Sequence, residues 1–87
     1  MKNLNKDTEF VIYIANLLIK EGYVKSLREF SKQYLHKNPN TLCVMKYQNI
    51  EPSLAILLSL YLKLNQKQIY PSIQQQLSKL IYQKTFI

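Results

Sequence analysis

Apolar and polar positions recur along this chain with the period of helices. Phe10, Val11, Ile14, Leu17 and Leu18 fall at helical spacing and form one stripe facing a core. Asp7 or Thr8 is the expected cap of that helix, with Glu9 near its positive end. Gly22 stands where a left-handed residue closes a helix.

Ser26 and Glu29 then make an S-x-x-E capping box, in which the hydroxyl accepts from the Glu29 N–H and the carboxylate reaches back to Ser26. A second helix is predicted from there to about Leu35, with Leu27, Phe30, Tyr34 and Leu35 inward and His36-Lys37 as the turn. Asn38-Pro39 pairs an N-cap with proline at the first helical position and predicts a third helix over 39–48. Leu42 and Met45 point inward, three apart, leaving Pro39, Asn40, Cys43, Val44 and Tyr47 outside. Residues 49–51 read as a loop.

Pro52-Ser53 starts a fourth helix that is apolar nearly all round, from Leu54 through Ile56, Leu57, Leu58, Leu60 and Leu62 to Leu64. That pattern predicts the central, most buried helix. It ends at Asn65-Gln66, and Pro71-Ser72 begins a fifth. There Ile73, Leu77, Leu80 and Ile81 share one face, and Gln74, Gln75, Gln76 and Lys79 surround the other.

At 87 residues and 47% apolar composition, the chain is expected to form one domain over 1–87 with a modest core. One glycine argues against a β-sandwich or barrel, which needs many turn residues. Twelve basic residues against five acidic ones set the net charge at +7. The last acid is Glu51, so Lys63, Lys67, Lys79 and Lys84 have no acidic counterweight after it. That balance points to a polyanionic partner.

Chemistry-bearing patterns are missing. Cys43 is the single cysteine, so no intramolecular disulfide and no metal cluster is expected; it reads as a small, semi-buried filler. His36 reads as a solvated turn residue, Glu29 as a cap and Glu51 as a loop charge. With no nucleophile–base pair, phosphate loop or paired acids, the expectation is a protein that is not an enzyme and takes no cofactor, metal or small-molecule substrate. No run approaches 18 apolar residues, and MKNLNKDTEF lacks the order of a signal peptide, so a cytoplasmic location without membrane association is expected.

Ser26 to Leu64 resembles the lambda-repressor/Cro-like helix-turn-helix family. The matching residues are Ser31 midway along the first motif helix, Asn38 before the second, and Thr41-Leu42 with Met45 three on. Glu51-Pro52-Ser53-Leu54 then opens a Leu-rich helix. His36 stands in the turn, where the family commonly has glycine, and the third helix has no arginine. The resemblance implies an all-α, compact five-helix domain containing a helix-turn-helix core at 26–48. Its function would be a sequence-specific DNA-binding transcriptional regulator, of repressor type.

On that resemblance, base contacts fall to Asn38, Asn40, Thr41, Val44 and Tyr47: the asparagines to adenine edges, Thr41 and Val44 to thymine methyls. Lys32, Lys37, Lys46, Gln48 and Asn49 would hold phosphates. With Arg28 the only arginine, guanine readout is weak and an A·T-rich operator is expected. One motif reads only a few base pairs, so a homodimer on two half-sites is expected. The helix at 71–87 would supply its interface through Ile73, Leu77, Leu80, Ile81 and Phe86.

Two rival readings stand beside this one. In the first, the scaffold serves protein contacts alone, as an inhibitor or antitoxin-like module using Cys43, Val44 and Tyr47. The C-terminal helix and the lysines could instead attach the chain to a membrane surface, although that helix's polar face is glutamine-rich.

Overall fold

The computed structural model describes residues 5–85, and among these it is all-helical, with five helices and no strand. They fall into two compact units, one ending at Pro52 and the other beginning at Ser53.

The first unit holds α1 (Lys6–Lys20), α2 (Leu27–Gln33) and α3 (Thr41–Gln48), each in contact with the other two. The cap of α1 is Asn5, not Asp7 or Thr8: its side-chain oxygen accepts from the N–H groups of Asp7 and Thr8. Thr8 is unavailable as a cap because it is buried and its hydroxyl donates to the Ile50 carbonyl at 2.6 Å. Asp7 and Glu9 occupy the first turn, where they complement the helix dipole. Val11, Ile14, Ala15 and Leu18 are buried along one face; Phe10 and Leu17 are only half-buried.

The α1 C-terminus closes in a Schellman arrangement. Gly22 takes φ +84°, its N–H reaches the Ile19 carbonyl, and the Tyr23 N–H reaches that of Leu18. Ser26 then caps α2 by accepting from the Glu29 N–H at 3.2 Å. Phe30, Ser31, Tyr34 and Leu35 are buried, and the Phe30 and Tyr34 rings stack with centroids 5.6 Å apart. The helix ends at Gln33, two residues short of the expected Leu35.

Between α2 and α3 the chain reverses. His36 adopts φ +55°, the left-handed region, and the Lys37 N–H returns to the Ser31 carbonyl. Asn38-Pro39 does not begin the third helix. The Asn38 carboxamide oxygen accepts from the Asn40 N–H at 2.9 Å, and its carbonyl accepts from the Thr41 N–H. This is an Asx-turn on a β-turn, with Pro39 in the turn position that its fixed φ suits. Helix α3 therefore starts two residues later than expected, with Asn40 as N-cap. It ends at Asn49, left-handed at φ +53°.

The second unit is a hairpin of α4 (Leu54–Lys67) and α5 (Pro71–Thr85). Ser53 caps α4 by accepting from the Ile56 N–H. The connection uses two left-handed residues, Gln68 and Tyr70. The Gln74 amide donates to the carbonyl of Ile69 at 2.8 Å and, at 3.3 Å, to that of Leu64, which also accepts from the Gln68 and Ile69 N–H groups. Helix α4 is not buried all round. Ile56, Leu57, Leu60 and Leu64 are covered, while Leu54, Leu58 and Leu62 stay exposed. An apolar pattern on every side carries no information about which side meets a neighbour.

Candidate functional site

The site singled out by the sequence lies wholly in the first unit, on α3 and the reversal before it. The inward face of α3 is narrow, because only Leu42 and Met45 are buried. At about 100° per residue, Tyr47 projects opposite this pair, between Cys43 and Val44. Tyr47 is 94% exposed and Val44 is 43% exposed. Cys43 is exposed as well, not the semi-buried filler expected, because α3 meets its neighbours only through the Leu42–Met45 edge.

Two shallow hollows flank this ridge. One is lined by Leu27, Cys43, Lys46 and Tyr47, the other by Asn40, Cys43, Val44, Tyr47 and Gln48. A third lies against α2, where Ser26, Arg28, Glu29, Lys32, Gln33 and Pro39 come together. Leu27 and Arg28 were not among the residues expected in the site. Their signal was their place in the first turn after the Ser26 cap, which keeps both near the surface.

The structure sorts the expected base-reading residues. Asn38 is exposed, but its carboxamide oxygen is held by the Asn40 N–H. Asn40 is exposed and its side chain makes no capping bond. Thr41 is half-buried at the first helical position, and Val44 and Tyr47 lie on the ridge. Of the expected phosphate-holding residues, Lys32 is exposed on α2, Lys37 in the reversal, and Lys46 and Gln48 on α3. Asn49 is exposed too, and its side-chain oxygen accepts from the Asn5 N–H at 2.7 Å. No acidic residue occurs among the eight of α3.

The expected dimer residues lie elsewhere, on α5. Ile73 and Leu77 are buried, Leu80 and Ile81 are half-buried, and Phe86 lies outside the described residues. Among the described residues, no three His, Cys, Asp or Glu side chains come together as metal ligands. No described helix is long and apolar enough to cross a membrane.

No curated protein and no solved structure matches the chain. A family model does, over residues 11–85, and the chain belongs to that family, DUF6626, described as a family of unknown function.

Proposed function

We propose that this protein is a sequence-specific DNA-binding regulator, of repressor type, in which α2, the reversal and α3 act as a lambda-repressor-like helix-turn-helix. The observation that carries the reading is the division of α3. Two side chains anchor it, and the rest of its surface is open, free of acids, with Lys37 before it and Lys46 on its flank. Such a helix suits the major groove, and the lysines supply sequence-independent attraction to phosphates.

Readout would centre on Asn40. Its carboxamide makes no capping bond and can pair in bidentate fashion with an adenine edge, whereas the Asn38 oxygen is already engaged in shaping the turn. Val44 and the Thr41 methyl would meet thymine methyls. Tyr47 would reach furthest, and Lys32, Lys37, Lys46, Gln48 and Asn49 would contact the backbone. The mechanism is operator occupancy. Binding to matched A·T-rich and G·C-rich duplexes tests it: A·T preference is expected, and a clear G·C preference would contradict the assignment.

The exposed apolar ridge favours a second reading. Cys43, Val44 and Tyr47, with Leu27 beside them, form a surface suited to another protein. Under that reading the helix-turn-helix scaffold serves protein contacts, and duplex DNA does not bind.

A further inference from the structure

Helix α5 turns a polar face outward, and two adjoining hollows run along it. One lies between Tyr61 of α4 and Gln75, Ser78 and Lys79 of α5. The other is lined by Ser78, Lys79, Tyr82 and Gln83, so Ser78 and Lys79 belong to both. Gln75, Lys79 and Gln83 are exposed and four residues apart, which sets them in one row about 12 Å long. Tyr82, 63% exposed, stands beside that row, and Tyr61 is half-buried in the wall that α4 supplies. The hollows thus join one cation to amides, a hydroxyl and two aromatic rings. From Ser53 onward the chain has lysines and no acidic side chain, so nothing within this unit neutralises Lys79.

We propose that these hollows bind single-stranded RNA, with a phosphate at Lys79, a base stacked on Tyr82, and Gln75, Ser78 and Gln83 on base edges and ribose. Charge selects a polyanion, because every charged side chain of the unit is positive. The rings select unpaired bases. In a duplex the base faces are covered by their neighbours, whereas in a single strand they are open to stack on an aromatic side chain. Only one lysine lines the hollows, so neutral contacts carry much of the binding. Amide and hydroxyl groups supply both donors and acceptors, which matches the ribose 2′-OH as well as the base edges and favours RNA over DNA. A membrane surface calls for an apolar flank beside the cation, and Lys79 stands in a row of glutamines. The row spans about three nucleotides, so the affinity is modest. The proposal does not rest on duplex binding by α3.

The full chain is titrated into labelled oligouridine of about 12 nucleotides, in ribo and deoxy forms, and anisotropy is read at about 50 and 200 mM salt. The ribo strand should bind, and the deoxy strand more weakly. The chain has no tryptophan, so quenching of tyrosine emission by the ribo strand reads stacking directly. Tyr82→Ala should weaken binding about fivefold or more, and Tyr82→Phe, which keeps the ring, should bind as the wild type does. Lys79→Ala should reduce the slope of log affinity against log salt by about 0.7, the share of one single-strand phosphate. The Lys37→Ala, Lys46→Ala variant, altered only in the first unit, should bind the ribo strand as the wild type does. Helix content by circular dichroism shows that each variant is folded. If Tyr82→Ala loses it, Gln75→Glu with Gln83→Glu sets two carboxylates in the same row and should abolish binding. No binding of the ribo strand by the folded wild type at the lower salt overturns the proposal. So does deoxy binding as tight as ribo, or undiminished binding in the folded α5 variants, or a loss confined to the first-unit variant. Failure to bind duplex with ribo binding retained contradicts the α3 reading and leaves this one standing.

Discussion

The Thr8 hydroxyl, in the first turn of α1, donates to the carbonyl of Ile50, just beyond α3, at 2.6 Å. A second bond, from the Asn5 N–H to the Asn49 side-chain oxygen, runs parallel to it. Together they tie the start of α1 to the end of α3, across more than 40 residues of chain. Thr8→Val keeps the shape and removes the donor, leaving the Ile50 carbonyl short of a partner. The expected cost is about 1–2 kcal/mol in urea unfolding, with Thr8→Ser close to wild type.

Gly22 isolates a backbone effect. A Cβ added there meets nothing within 4 Å, so the cost of Gly22→Ala comes from φ +84° alone. About 1 kcal/mol of destabilisation is expected, and less for Gly22→Asn, which tolerates the left-handed region better. Thermal unfolding of the two variants checks the order.

His36 should behave in the opposite sense. It holds φ +55° with an exposed side chain, so glycine relieves strain there without loss of packing. The relief, about 1–2 kcal/mol, exceeds the added unfolded-state freedom of about 0.4–1 kcal/mol. His36→Gly is therefore expected to raise the midpoint of urea unfolding, and His36→Val to lower it.

Gln74 holds the hairpin of the second unit through its bonds to the Leu64 and Ile69 carbonyls. Gln74→Met preserves length and removes both donors. A loss of about 1–2 kcal/mol is expected from unfolding curves, with DNA affinity unchanged, because the proposed contacts lie on α2, α3 and the reversal.

What could be read in advance followed from local chemistry. Gly22, Ser26 and Ser53 act where they stand, through a positive φ or a hydroxyl three residues from its donor, and short-range signals suffice to find them. Asn38-Pro39 misled because the same dipeptide serves a helix start and an Asx-turn; the backbone of Asn40 decides between them. The Thr8 role was hidden because its partner is 42 residues away. Periodicity cannot orient a helix that is apolar on all sides, so spacing alone does not separate the exposed Leu54, Leu58 and Leu62 from the buried Leu57, Leu60 and Leu64. At the candidate site, the inward pair Leu42 and Met45 was legible from spacing. The exposure of Cys43 and the engagement of the Asn38 oxygen depend on how α3 begins and on how narrowly it is anchored.

The central claim, that α3 and its flanking lysines dock on duplex DNA, is tested most directly by titrating labelled duplex at about 50 and 200 mM salt. A Lys37→Ala, Lys46→Ala double variant is measured alongside. Affinity should fall steeply between the two salts, and the double variant should bind more weakly with a salt slope smaller by about two phosphate contacts. Absence of binding by the folded wild type at the lower salt, or a double variant that binds with the same affinity and slope, would contradict it.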